Sequence, residues 1–138
     1  METQPADSET YDIVRAGVEE LLDYETLVVA LSPNPDGSEA LELQMALSGF
    51  DEQDVGLGMD TYCLVLPSGA TFYGGVRACI REGSSLGLYL TDAAAEALGV
   101  PPLLRLRLLI DEERQAEVAA GLRRVLTCGR DVPEPLIL

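Results

Sequence analysis

Hydrophobic and polar positions alternate over most of this chain, and the alternation predicts strands. Val14, Ala16 and Val18 alternate with polar or small residues. TLVVAL at 26–31 is continuously apolar, as in a strand buried on both faces. Pro33-Asn34-Pro35-Asp36-Gly37 is a turn signal. After it, Leu41, Leu43, Met45 and Leu47 form one face of a third strand. TYCLVL at 61–66 and TFYGGVRACI at 71–80 flank Pro67-Ser68-Gly69 and read as a hairpin. Leu86, Leu88 and Leu90 alternate after the Arg81-Glu82-Gly83-Ser84 turn. Leu104, Leu106, Leu108 and Ile110 alternate with Arg105 and Arg107 in the clearest strand of all.

Two segments change period. Thr91 is a candidate N-cap for a short Ala-rich helix that Gly99 ends, with Pro101-Pro102 preventing continuation. Asp111 can cap a second helix with Glu112 and Glu113 in its first turn. Its stripe is Val118, Leu122 and Val125, widened by Ala119 and Leu126, with Arg123, Arg124 and Arg130 at or beyond its C-terminal end. Leu136-Ile137-Leu138 can add an edge strand. The sum is an α+β fold: a mainly antiparallel sheet of seven or eight strands with two helices packed on one face. The first ten residues, METQPADSET, carry no hydrophobic period and read as a disordered tail, leaving 11–138 as a single domain.

Charge sharpens this picture. The 138-residue chain has a formal net charge of −15, with nine basic residues, all Arg, against 24 acidic ones. The imbalance is local: residues 1–60 hold 15 acids and only Arg15, and residues 61–138 hold nine acids and eight Arg. Such a field disfavours nucleic acid and anionic membranes and attracts basic partners. No segment resembles a signal peptide or a membrane span. The odd count of thiols (Cys63, Cys79 and Cys128) and the lack of CxxC argue against a disulfide framework. The expectation is a cytoplasmic protein with free thiols.

The residues support little chemistry. There is no His, so the commonest general base and the Ser-His and Cys-His dyads are missing, and three scattered thiols make a poor zinc site. Asp51-Glu52-Gln53-Asp54 fails the calcium-loop pattern, because Val55 and Met59 fall where ligands are needed; a looser magnesium or calcium site from Asp51, Asp54 and Asp60 is the remaining metal reading. Cys79 shares strand parity with Arg77 and Arg81, which could activate a thiolate. Gly56-Leu57-Gly58 lacks the third glycine of a dinucleotide fingerprint and precedes a strand. Gly74-Gly75 inside a strand pattern marks either a bulge or bend, or close approach by a ligand. No catalytic, cofactor-binding or metal residue is expected.

LGMDTYC within DEQDVGLGMDTYC, then YGGV within ATFYGGV, then LTDAAAEALGVP, then GLRRVLTCGR and a closing P-x-P-L-I-L occur here in that order. This series resembles immunity protein family ten of bacterial polymorphic toxin systems. The resemblance runs from about residue 41 to the C-terminus, with the strands at 12–31 compatible. It implies a non-enzymatic protein that binds a cognate toxin domain encoded by a neighbouring gene and blocks it stoichiometrically. A nuclease with a basic cleft would suit the acidic field. On this reading Asp51, Glu52 and Asp54, in an acidic loop between two strands, contact the toxin, and Tyr62 and Tyr73 form an exposed aromatic pair, unless both simply pack on the sheet. Gly58, Met59, Asp60 and Thr61 are then architectural, as are Gly74 and Gly75; Gly58 supplies a turn and Asp60 bonds nearby backbone amides. A homo-oligomer is open but not indicated. The rival readings are a small-ligand-binding or regulatory module and a divergent enzyme.

Overall fold

The computed structural model describes residues 8–130 and 132–138. Its strands form two five-stranded sheets, not one sheet of seven or eight. The first has the order β1 (Ser8–Ile13), β9 (Leu103–Leu108), β8 (Ser85–Leu90), β7 (Val76–Glu82), β10 (Leu136–Ile137). The second runs in chain order: β2 (Arg15–Leu21), β3 (Thr26–Ser32), β4 (Leu41–Ala46), β5 (Cys63–Val65), β6 (Thr71–Tyr73). Among the described residues only the β1–β9 and β10–β7 pairs are parallel. Ser8, Glu9 and Thr10, assigned from sequence to a tail, lie in β1; residues 1–7 of that tail are outside the described residues.

Three helices accompany the sheets: α1 (Glu52–Gly56), α2 (Asp92–Leu98) and α3 (Glu112–Leu126). The expected caps are present. Thr91 Oγ1 accepts from the Ala94 amide at 3.2 Å and Gly99 adopts φ +69°. Asp111 Oδ1 accepts from the Arg114 amide at 2.7 Å. The two longer helices both pack against the second sheet, and a third, α1, adds to the two expected. α3 packs across β2, β3 and β4, while α2 sits against β6. Gly121 lets α3 approach closely, since a Cβ there would lie 2.7 Å from Val18 Cγ2. Gln115 is buried but satisfied: its amide donates to Ile110 O at 2.9 Å and accepts from Arg81 Nη2 at 3.1 Å.

One apolar cluster joins both sheets and the helices. Leu86, Leu88, Leu104 and Leu106 enter from the first sheet, Leu27, Val29, Leu43 and Leu64 from the second, and Val118, Leu122 and Val125 from α3. The alternation read in the sequence is this inward face.

Gly74-Gly75 is where the chain changes sheets. The β5–β6 hairpin exists, but the strand expected to run through 71–80 stops at Tyr73 and β7 begins in the other sheet. Both glycines have positive φ, +76° and +89°, which a side chain would strain. What approaches Gly75 is the chain's own α2: a Cβ there would lie 2.6 Å from Ala94 Cβ. Tyr62 fastens the crossing. Its hydroxyl accepts from the Val76 amide at 2.9 Å, and its carbonyl accepts from Gly74 N at 2.8 Å.

Candidate partner-binding surface

The acidic stretch is a capped turn of helix, not an open loop. Asp51 Oδ1 accepts from the Asp54 amide at 2.8 Å, and Asp54 Oδ2 accepts from the Asp51 amide at 3.0 Å. This is the reciprocal capping arrangement, built here from two aspartates. Their carboxylates also favour the positive end of the turn. Asp51 and Glu52 remain exposed and Asp54 is half-buried, so two of the three expected contact residues also hold local structure.

The turn's exit is fixed from a distance. Gly58 adopts φ +71°, and Met59 N donates to Asp54 O at 2.8 Å. Asp60 was expected to bond nearby backbone amides, but among the described residues its Oδ1 instead accepts from Arg130 Nε at 2.6 Å. Arg130 Nη2 also donates to Gly58 O at 2.7 Å. Gly129 lies so close that a Cβ would meet Asp60 O at 2.2 Å. The segment after α3 thus clamps the chain between α1 and β5.

Strand register places Tyr73 beside this turn. Glu19, Val28, Gln44, Cys63 and Tyr73 lie side by side across the second sheet, on the face away from α3. Gln44, Cys63 and Tyr73 border an open notch of about 230 Å³. Its other walls include Tyr24, Glu25, Phe50, Asp54 and Met59, with Thr61 among the lining residues. Burial pushes the Tyr73 phenol up, assisted by the charges of Cys63 and Asp54. Thr61 is 2% exposed, and its hydroxyl has no hydrogen-bond partner among the described residues.

Tyr62 is not part of this surface. It is 0% exposed, so the expected exposed tyrosine pair does not exist, whereas Tyr73 is 37% exposed. Parity held the answer: positions 62, 64 and 66 share a face, and Leu64 and Leu66 are also buried. Sequence reasoning also missed Tyr24, Val55 and Leu57. All three are exposed, on a 3-10 turn (Leu22–Tyr24) and on α1 with the residue after it. Of the nine exposed large hydrophobic side chains among the described residues, five lie in segments bordering the notch: Leu22, Tyr24, Val55, Leu57 and Tyr73. Apolar side chains gathered at the surface within an acidic rim are typical of protein contact sites.

Elsewhere the geometry offers less chemistry. Cys79 is buried in the core, and burial pushes its thiol up to about 12, so the arginines near it in sequence do not activate it. Arg77 instead lies over the Tyr89 ring, 5.4 Å from its centroid. Among the described residues no three His, Cys, Asp or Glu side chains are grouped to hold a metal ion. No described helix is long and apolar enough to cross a membrane.

A family model described as Immunity protein 10 matches residues 12–116. The match covers β2, β3, the acidic turn and Tyr73. It starts earlier than the sequence resemblance did, and it stops before GLRRVLTCGR and the closing P-x-P-L-I-L segment. Comparison with curated proteins and with solved structures returns no match.

Proposed function

This chain belongs to the immunity protein 10 family, and from that premise we propose that it binds a cognate secreted toxin domain and neutralises it by stoichiometric inhibition, without catalysis of its own. The toxin is encoded by a neighbouring gene, and the encounter takes place in the cytoplasm of the producing cell. Asp51, Glu52, Asp54 and Tyr73 form the contact surface, joined by Tyr24, Val55 and Leu57.

The observation that carries this reading is the co-location of exposed Tyr24 and Tyr73 with Glu25 and Asp54 around one notch, with exposed Val55 and Leu57 on the neighbouring turn. Tyrosines supply rigid contact area at an interface core, and an acidic rim steers a basic partner. A toxin with a basic cleft, such as a nuclease, fits that field. Complementary charge raises association rates toward ~10⁸–10⁹ M⁻¹s⁻¹ at low salt, which favours capture before damage.

The test replaces Asp51, Glu52 and Asp54 with Asn, Gln and Asn. Asn still caps a helix, so the fold should survive while the charge is removed. With the toxin domain encoded beside this gene, slower and less salt-dependent association and weaker protection of toxin-expressing cells are expected. A parent protein that neither binds nor protects against that toxin would end the reading.

A further inference from the structure

The notch beside α1 has a composition that points to one side chain of the partner. We infer that it receives a single arginine, a step that rests on the toxin-binding reading and names the chemistry of its anchor. The groups that face it accept hydrogen bonds or negative charge. Asp54 and Glu25 bring carboxylates, and Gln44, whose amide nitrogen donates to Glu42 Oε1 at 2.8 Å, keeps its carbonyl oxygen for a ligand. Thr61 adds a buried hydroxyl that no described residue satisfies. An unsatisfied buried polar atom carries a free-energy penalty, and a ligand that supplies its partner removes that penalty.

The walls favour a flat cation. Tyr24, Phe50 and Tyr73 present ring surface, and cations are attracted to aromatic faces. Among the described residues no arginine lines the notch, and residues 1–60, which supply most of its walls, contain only Arg15. A volume of about 230 Å³ has room for one long side chain and not for a folded element of the partner. Guanidinium suits this set better than ammonium, because its five donors are spread over a plane that stacks on rings while bonding several acceptors. Such an anchor, covered by the partner once it is seated among these rings and acceptors, is the arrangement in which single residues dominate binding.

The test needs no toxin, so it is separable from the test of function. The ¹⁵N-labelled full chain is titrated with N-acetyl-L-argininamide and, in parallel, with the uncharged N-acetyl-L-citrullinamide. Saturable shifts are expected at residues 44, 54, 59–63 and 73 with the arginine probe, and binding about tenfold weaker with citrulline. Tyr73→Ala should weaken the arginine probe severalfold, whereas Tyr73→Phe, which keeps the ring, should not. Thr61→Val, nearly the same shape, should weaken it too, with melting curves confirming that each variant folds. No saturable shift, equal binding of both probes, or shifts centred elsewhere would overturn the inference. Any of these would leave the family-level function standing, provided the parent chain still binds its toxin.

Discussion

Arg130 reaches back seventy residues in sequence to hold Asp60, donating from Nε to Oδ1 at 2.6 Å. The same guanidinium bonds Gly58 O, and the Arg130 amide donates to Asp60 O at 3.3 Å. The segment after α3 therefore sets the path of the chain from the acidic turn into β5, and with it the placing of Met59 and Thr61, which line the notch.

Arg130→Ala should loosen that path more than it unfolds the protein. The Arg130 side chain is half-exposed while that of Asp60 is largely covered, so solvent screens part of the attraction. A loss of about 1 kcal/mol is expected from the urea midpoint. Faster amide exchange should be confined to residues 58–62. Exchange that rises equally throughout the core would contradict a local clamp.

Gly129→Ala tests the same contact by overpacking. Its Cβ would collide with backbone, at 2.2 Å from Asp60 O and 2.6 Å from Thr61 Cα, and backbone cannot swing aside as a side chain can. The expected loss is about 2–3 kcal/mol. A serine scan of exposed helix positions such as Ala120, by comparison, should stay within about 0.5 kcal/mol. Equal effects at both sites, read from thermal melts, would remove the argument.

Tyr62→Phe and Tyr73→Phe should differ sharply, because one ring is buried and the other exposed. Removing the Tyr62 hydroxyl leaves the buried Val76 N–H without its 2.9 Å partner, a loss of about 1–3 kcal/mol. Removing the Tyr73 hydroxyl leaves a half-exposed ring in place and should leave the melting temperature unchanged. If Tyr62→Phe slows toxin association without lowering stability, its role is not the one described here.

Cys79 should make stability fall in alkali. Below pH 9 the thiol is protonated in both states and contributes no pH dependence. From 9.0, its ordinary value, to about 12 in the folded chain, only the unfolded state gives up the proton. Folding therefore weakens as pH rises through this window, by up to about 1.4 kcal/mol per pH unit from this group. Tyr11, also raised to about 12, adds to the fall above 10. Cys79→Ala should flatten the first part of the decline between pH 9 and 10 in urea titrations. Under native conditions thiol reagents should modify half-buried Cys63 and Cys128 well before Cys79.

Both longer helices were legible because caps, period and stop residues agreed at each end. The strand faces were legible because parity alone decides which residues turn inward. What parity cannot state is which strand lies next to which, so one sheet was expected where two exist. Gly74-Gly75 hid the switch because Tyr73 and Val76 look like one continuous strand. The β1 segment was missed because an edge strand with Glu9, Thr10 and Asp12 has little apolar period to show. The acidic turn was misread as a loop: five residues give no helical stripe, and its Asp51–Asp54 box departs from the usual Ser/Thr-x-x-Glu pattern. The notch could not be seen at all, since Tyr24, Gln44, Asp54 and Tyr73 meet only through sheet register.

The pairing of Asp12 in β1 with Arg107 in β9, 95 residues later, has a temporal consequence. At roughly 5–20 residues per second of synthesis, the first strand waits several seconds for its neighbour. Pairings this distant also slow folding once the chain is complete, toward the millisecond-to-second range. The second sheet can form earlier from consecutive hairpins, but α3 and then Arg130 arrive last to set the notch. Nascent chains halted before residue 110 should be digested rapidly by protease. A growing copy is thus no defence while it is being made, and protection at any instant depends on the stock of copies already folded.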